Sequence, residues 1–258
     1  MTSAPLAVMT DSRGVATVTL DRAEKHNAFD DPLIAALADT FRRLGADEGV
    51  RAMVLSANGK SFSAGADVAW MKRMAGAAEA ENVRDARALA DMLRLLNEMP
   101  KPTVALVQGA ALGGGVGLVA CCDVALAADQ ATFALTEVRL GLIPATIGPY
   151  VVAAIGARAA RRYFLTGERF GAEDARALGL VHEVVSAADL PAAGERLISA
   201  VLAGGPKAVA EAKALVLAVA GQPFTEALIE DTACRIARIR AGDEAREGLD
   251  AFLAKRKP

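Results

Sequence analysis

The feature that most constrains this chain is a run of glycines between two apolar stretches. The run, LGGGVGL, covers residues 112–118, with residues 103–108 before it and residues 119–123 after it. The first stretch has the β-branched, apolar character of a buried strand, and Gly117 opens what resembles the first turns of a buried helix. A helix that begins in glycines directs bare N–H groups and the positive end of its dipole outward. We therefore predict that a negative charge, an enolate oxygen, develops against this turn.

Composition limits the class of protein. The chain has 258 residues, of which 53% are hydrophobic, so one large domain with a substantial core is expected without disulfides or metals. A net charge of −2 and a pI near 5.8 argue against nucleic acid or an anionic membrane as the main partner. The three cysteines, Cys121, Cys122 and Cys234, form no Cys-x-x-Cys pair, which is typical of a reducing, cytoplasmic protein. The first residues predict no secretory signal.

An uncharged run from Thr103 to Cys122 has about the length that spans a bilayer. Its glycine cluster and Gln108 make it a poor membrane helix. A strand, a turn and a helix inside a globular core explain the run better, so we predict no membrane span.

Strand and helix patterns alternate along most of the chain. Strands are predicted at residues 6–9 and 15–20 as a hairpin, and at residues 50–56, 103–108, 124–127, 132–135 and 181–185. Helices are predicted from Asp31, over residues 79–99, 145–155 and 157–165, and in a short segment that Gly179 ends. From Asp189 onward the pattern is helical. The predicted organisation is an α/β body over residues 1–190 followed by a helical region over residues 191–258.

Two of these helices have a predicted inward face. In the first, the apolar residues fall on one side, at Ile34, Leu37, Phe41 and Leu44. In the helix over residues 79–99, the predicted inward residues are Val83, Ala86, Ala90, Leu93 and Leu96.

Dinucleotide binding and metal binding are both poorly supported. Residues 115–120 fit the G-x-G-x-x-A pattern after a strand, but that pattern needs an acidic ribose partner about twenty residues later at a strand end. Asp123 and Asp129 come too early, and Glu137 lies in a loop-like stretch. With only His26 and His182 in the chain, no histidine metal site or serine triad is expected.

Several motifs together carry a family resemblance. Residues 63–68 (SAGADV), 109–115 (GAALGGG) and 137–144 (EVRLGLIP) resemble successive motifs of the enoyl-CoA hydratase/isomerase (crotonase) superfamily. So do residues 165–167 (LTG), 175–181 and 252–256, and the likeness extends over essentially the whole chain. It implies a β-β-α spiral core and a C-terminal helical trimerisation region, giving a homotrimer or a dimer of trimers. It also implies an acyl-CoA thioester substrate, with coenzyme A as part of that substrate and no separate cofactor.

The resemblance implies specific site residues. The backbone N–H groups of Ala66 and Gly114 correspond to an oxyanion hole, and Glu137 to the catalytic glutamate. Two main-chain donors must converge on one thioester oxygen, which explains why both residues are small. Apolar neighbours are expected to raise the pKa of Glu137 towards general acid–base use. The implied substrate-binding residues are Lys25, His26, Ala28, Ala64, Asp67, Val68, Gly113 and Gly117, with Phe252 and Lys255 reaching coenzyme A from a neighbouring subunit.

Gly117 departs from the family pattern. Many hydratases of the family have a second glutamate there, three residues after the oxyanion glycine. A single carboxylate is typical of family isomerases and of bacterial hydratases of branched glutaconyl-CoA thioesters. Residues 70–74, 115–123 and 143–151 resemble the latter group. A glutamate at position 117 is expected to supply the absent group, provided that the pocket accepts its volume.

Three hypotheses follow. The favoured one is a hydratase that adds water to a 2-enoyl-CoA of the 3-methylglutaconyl type, in fatty acid or branched-chain amino acid catabolism. Lys72, Arg73 or Arg139 would then bind the substrate carboxylate. The second is a Δ3,Δ2-enoyl-CoA isomerase that uses Glu137 alone. The third is a non-catalytic protein that binds CoA esters or RNA, against which the acidic pI and Glu137 count.

Overall fold

The computed structural model describes residues 4–256, and over these residues ten strands form two sheets. In chain order they are β1 (Leu6–Thr10), β2 (Val15–Leu20), β3 (Ala52–Ala57), β4 (Ser61–Ser63), β5 (Thr103–Val107), β6 (Ala110–Leu112), β7 (Val124–Ala128), β8 (Thr132–Ala134), β9 (Arg169–Gly171) and β10 (Glu183–Val185). The larger sheet has the order β1-β2-β3-β5-β7-β10, and the smaller has the order β4-β6-β8-β9. The ends of the two predicted regions, at residues 1 and 258, lie outside the described residues.

Both sheets are mixed. In the larger sheet β1 pairs antiparallel with β2, as the predicted hairpin requires, and the other pairs are parallel. In the smaller sheet β4, β6 and β8 are parallel and β9 is antiparallel. The predicted strands are confirmed, with ends shifted by up to two residues. β4, β6 and β9 were not predicted, because three residues are too few to show a period of two. β8 and β10 are equally short, but they were predicted as parts of the longer segments 132–135 and 181–185.

The helices surround these sheets. In chain order they are α1 (Asp31–Ala46), α2 (Val68–Ala75), α3 (Glu79–Asn97), α4 (Gly114–Cys121), α5 (Gly148–Thr166), α6 (Ala172–Leu178), α7 (Leu190–Leu202), α8 (Pro206–Val219), α9 (Glu226–Arg240) and α10 (Asp243–Leu253). The predicted face of α1 is confirmed, since Ile34, Leu37, Phe41 and Leu44 are all buried. Asp30 caps this helix by accepting a hydrogen bond from the Leu33 N–H at 3.1 Å.

The predicted start of α4 at Gly117 is wrong, because the helix begins at Gly114. Gly113 precedes it with φ +48°, a left-handed conformation that turns the chain directly from β6 into the helix. The uncharged run from Thr103 to Cys122 thus folds as β5, β6 and α4. Within residues 4–256 we find no helix with the length and apolar character that crossing a membrane requires.

One further helix prediction needs correction. On α3, Val83 is 61% exposed and Ala86 is also exposed, whereas Leu93 and Leu96 are buried as predicted and Ala90 is half-buried. The buried residues of α3 lie in its C-terminal half, where it packs on α1 and α4, and most of its first turn is exposed.

The two helical segments predicted at residues 145–155 and 157–165 are confirmed. They make up α5, in which Gly156, with φ +75° and ψ 154°, is non-helical and separates them at a kink, although the first segment begins at Gly148.

The core lies between the sheets and the helices that cover them. Its largest fully buried side chains include Phe29, Phe41, Phe62 and Phe133. Lys213 on α8 ties the C-terminal helices to this body, because its Nζ lies 2.8 Å from Asp123 Oδ2 and its side chain is 9% exposed. The Thr103 N–H and hydroxyl also donate to that carboxylate, at 2.8 and 3.0 Å.

The cysteines are free thiols. Cys121 and Cys122 are buried, and burial raises the pKa of Cys122 to about 12. Both therefore pack as small apolar side chains and supply no nucleophile.

Candidate active site

The ends of three neighbouring parallel strands bring the predicted catalytic residues together. In the smaller sheet Ser63 pairs with Ala111, and Leu112 pairs with Ala134. The chain then leaves β4, β6 and β8 at one edge, since parallel strands point the same way. Ala66 follows β4, Gly114 follows β6 and Glu137 follows β8. The structure therefore places all three on the same side of this sheet.

The turns after β4 and β6 are in direct backbone contact. A Cβ added to Gly65 would lie 2.8 Å from the Leu112 carbonyl oxygen, and one added to Gly115 would lie 2.8 Å from the Ser63 carbonyl oxygen. Gly65 also has φ +83°, which disfavours any side chain there. These glycines allow Ala66 and Gly114 to occupy adjacent turns.

The N–H groups of Ala66 and Gly114 are free to bind a ligand. Between residues 4 and 256, neither donates a hydrogen bond to a protein acceptor. Both residues are half-buried, whereas Gly113 and Gly115 on either side of Gly114 are buried. Gly114 is also the first residue of α4, where the helix dipole favours negative charge. This pair of donors suits one partly negative oxygen.

Phe29 holds these two turns in place, and the sequence analysis missed it. Its N–H donates to the Gly65 oxygen at 2.7 Å, and its own oxygen accepts from the Asp67 N–H at 2.8 Å. A Cβ on Gly114 would lie 2.8 Å from its ring. Phe29 is 1% exposed, and in the sequence it is only an apolar residue after a polar loop, which predicts nothing beyond a core position.

Asn27 organises the loop that precedes Phe29. It is fully buried with φ +55°, and its side-chain amide donates to the Asn58 and Ser61 oxygens at 2.9 and 3.0 Å. The Ala64 N–H donates to the His26 oxygen at 2.9 Å. The loop therefore lies against the turn that carries Ala66.

Two side-chain contacts join the loop at Lys25 and His26 to β4 and the turn that follows it. Lys25 Nζ lies 3.6 Å from Asp67 Oδ2, and His26 Nδ1 lies 3.1 Å from the Ser61 hydroxyl. Hydrogen bonds from the Trp70 and Ala69 N–H groups lower the pKa of Asp67, so it caps α2 as a carboxylate. Of the other binding residues predicted in this loop and turn, Val68 is exposed, Ala64 is half-buried and Ala28 is buried.

Glu137 has the environment of a general acid–base group. A short 3₁₀ helix, Glu137–Leu140, ends at Gly141 with φ +72° and holds the residue beside Gly113. A Cβ on Gly113 would lie 2.9 Å from Glu137 Oε1. No donor in the described chain reaches Oε2, which is buried. Burial raises the pKa of Glu137, and a hydrogen bond from its own N–H offsets only part of this.

Gly117 and the C-terminal residues lie elsewhere. Gly117 is buried inside α4 and faces Ile147, a residue that the sequence analysis did not select. Phe252 is 79% exposed at the end of α10, which packs on α8 and α9, and Lys255 follows it with φ +54°. Within one chain, no hydrogen bond or ion pair among the described residues joins Phe252 or Lys255 to the site.

Comparisons with known proteins bear on this geometry. A sequence profile of the enoyl-CoA hydratase/isomerase family matches residues 10–258. The fold is similar to the crystal structure of an enoyl-CoA hydratase from Shewanella pealeana, with 44% identity and a TM-score of 0.95 over 98% of this chain and 95% of that one. An enoyl-CoA hydratase from Mycobacterium smegmatis has 36% identity and a TM-score of 0.92 over 98% of each chain.

A curated relative extends the comparison beyond bacteria. The enoyl-CoA isomerase/hydratase of Mycosarcoma maydis is 32% identical in an alignment of 255 positions, gaps included, that covers 95% of this chain and 92% of that protein. The expected α/β crotonase fold, with two mixed sheets and C-terminal helices, is confirmed. The chain therefore belongs to the enoyl-CoA hydratase/isomerase family.

Proposed function

We propose that the protein is a hydro-lyase that adds water across the 2,3 double bond of a 2-enoyl-CoA thioester. Membership of its family implies an acyl-CoA substrate. The observation that carries the proposal is a buried, unpartnered carboxylate oxygen on Glu137, beside two unused N–H donors at Ala66 and Gly114. A reaction through an enolate requires a group that transfers protons and, next to it, a site that binds the enolate oxygen.

Ala66, Gly114 and Glu137 have different roles in the proposed hydration. The N–H groups of Ala66 and Gly114 bind the thioester oxygen and stabilise the charge that develops on it, by about 3 kcal/mol for each donor. Glu137 accepts a proton from water as the hydroxyl oxygen bonds to C3. The π electrons move to the thioester oxygen, and Glu137 returns a proton to C2. One water is consumed, and no electrons are gained or lost.

Isomerisation of a 3-enoyl-CoA is the second candidate function. One carboxylate is enough for it, since Glu137 would take a proton from C2 and return it to C4. Position 117 holds no second acid–base group, which favours this candidate. The Mycosarcoma maydis relative is named for both activities.

For the substrate, we predict a preference for a carboxylated enoyl-CoA, of the 3-methylglutaconyl type, over crotonyl-CoA. With no acid–base side chain at position 117, a substrate carboxylate helps to hold the attacking water. We expect kcat/KM to differ by at least about tenfold, which is ~1.4 kcal/mol in transition-state binding. The loss of enoyl absorbance measures both rates, with a 3-enoyl-CoA assayed in parallel. Equal rates would contradict the substrate assignment, and conversion of only the 3-enoyl thioester would favour the isomerase.

The cationic partner of that carboxylate is proposed to be Lys72. Arg73 is paired with Asp31, and Arg139 lies against Gly167, where an added Cβ would be 3.1 Å from its Nε. Lys72 is exposed, and among the described residues it has no ion-pair partner. Lys72→Gln should therefore reduce the preference for the carboxylated ester, whereas the matched variant Arg139→Gln should retain it.

We propose that the protein assembles as a homotrimer or a dimer of trimers through the helical region from residue 191. Within the described chain, α8 and α9 bury no residue, although α7 packs on the larger sheet. Large apolar side chains are exposed along this region, at Val216, Leu217, Phe224, Ile229, Ile236, Leu249, Phe252 and Leu253. Apolar surface of this extent is typical of a subunit interface.

Lys255 tests whether a neighbouring subunit completes the coenzyme A site. Lys255→Glu should raise KM for every CoA ester by a similar, salt-dependent factor while leaving kcat unchanged, because it would repel the CoA phosphates. The control is Arg43→Glu, the same change of charge on an exposed turn of α1 without an ion pair in the described residues. Light scattering should give both variants the wild-type mass. An unchanged KM in the Lys255 variant would contradict the cross-subunit contact.

A further inference from the structure

Gly117 lies about one helical turn beyond Gly113, the residue that contacts the catalytic carboxylate. Gly113 contacts Glu137, and Gly117 follows it by four residues, which is about one helical turn or roughly 6 Å along the axis of α4. At Gly113 the space for a side chain is occupied by Glu137 Oε1, and at Gly117 it is occupied by Ile147. Ile147 and Glu137 therefore contact the same helix, α4. Ile147 contacts it about one turn further along than Glu137 does.

The space at Gly117 is completely filled. An added Cβ would lie 2.3 Å from Ile147 Cγ2, 3.0 Å from Ile147 Cβ and 3.5 Å from Leu93 Cδ2. Ile147 is 2% exposed and Leu93 is fully buried, so neither side chain can turn away into solvent.

The backbone also holds Ile147 in place. It is the N-cap of α5, and its oxygen accepts the first hydrogen bond of that helix, from the Val151 N–H at 3.1 Å. Its side chain is β-branched and has few rotamers. Even an alanine at position 117 would require this residue to shift, because its Cβ would be too close to a branch of Ile147.

We infer that Ile147 determines the specificity of the site by limiting it to one acid–base group. It occupies the space through which any carboxylate on position 117 would have to pass. This inference rests on the proposed function. Its consequence is that Glu137 alone both takes the proton from water and returns a proton to C2. Water is then held by few protein groups, so substrates that help to hold it react faster.

A double-mutant cycle tests the inference on the complete protein. The variants are Gly117→Glu, Ile147→Ala and the double variant, with Ile155→Ala as a matched loss of a buried isoleucine on the same helix. We expect Gly117→Glu alone to lower the unfolding temperature and to reduce crotonyl-CoA hydration by more than about tenfold. Adding Ile147→Ala should recover the unfolding temperature of Gly117→Glu, whereas adding Ile155→Ala should lower it further.

The catalytic prediction of this inference is tested by separate kinetic measurements. The double variant should hydrate crotonyl-CoA at least about tenfold faster than Ile147→Ala alone and should show a second ionisation in the pH profile of kcat/KM. The inference alone would be overturned if the wild type hydrates a 2-enoyl-CoA but the two substitutions lower the unfolding temperature additively, with no recovery in the double variant. A recovered fold with an unchanged pH profile and rate would also overturn it. A wild-type protein that hydrates no 2-enoyl-CoA would instead overturn the proposed function, and with it the catalytic part of the inference.

Discussion

Glu137→Gln is expected to bind acyl-CoA and to lose most of its turnover. Glutamine retains the size of the side chain but cannot accept or return a proton, and general acid–base groups contribute roughly 10²- to 10⁴-fold to a rate. The variant should be at least as stable as the wild type, because the Oε2 of Glu137 is buried without a partner and ionisation there is unfavourable. Steady-state kinetics, acyl-CoA binding by calorimetry and thermal unfolding measure the three effects.

The pH profile identifies the same group. Because burial raises the pKa of Glu137 and the base must be ionised, the acidic limb of kcat/KM should lie above the ordinary pKa of a glutamate and disappear in Glu137→Gln. Glu173→Gln is the control, since Glu173 is an exposed glutamate that pairs with Arg176 on α6. Near-normal kcat in Glu137→Gln would remove this residue from the mechanism.

The second large effect is expected at Gly113. Gly113→Ala should lose turnover by about 10²-fold, because its Cβ would lie 2.9 Å from Glu137 Oε1 and displace the carboxylate, and a shift near 1 Å can reduce a rate this much. It should also lower the free energy of unfolding by about 1–3 kcal/mol, since φ is +48° and ψ is −115° there, a backbone conformation that alanine rarely adopts.

Gly221→Ala separates these two causes. Gly221 has φ +70°, and no atom of residues 4–256 lies within 4 Å of the position that its Cβ would occupy. This control should therefore show a similar loss of stability with normal kcat. Equal losses of kcat in the two variants would mean that displacement of Glu137 is not the cause.

The elements that depend on local chemistry are predictable from the amino-acid sequence alone. The hairpin, the start and apolar face of α1, and the helical C-terminal region follow from periodicity and turn residues, which act over a few neighbouring positions. The glycine run indicated a close backbone approach because a missing side chain is visible in the sequence itself. Family motifs then selected Ala66, Gly114 and Glu137 as site residues, whose catalytic roles remain predictions.

How these residues come together depends on strand pairing between distant parts of the chain. The pairing of β4, β6 and β8 brings together turns that are far apart in the chain. Ala66 and Gly114 are separated by about fifty positions, and Gly114 and Glu137 by about twenty. β4 and β6 have three residues each, which is too few to show a period of two, so no periodicity predicts them or their pairing with the predicted strand β8.

The same reason explains the residues that the sequence analysis missed. Phe29 and Ile147 look like ordinary core residues, and only packing shows that one lies on Gly114 and the other on Gly117. It also explains the exposed first turns of α3, because burial depends on which neighbour covers a face and the periodicity of the face does not specify that neighbour. Local physical chemistry thus determined which elements form, whereas contacts between distant parts of the chain determined which of their atoms share a site.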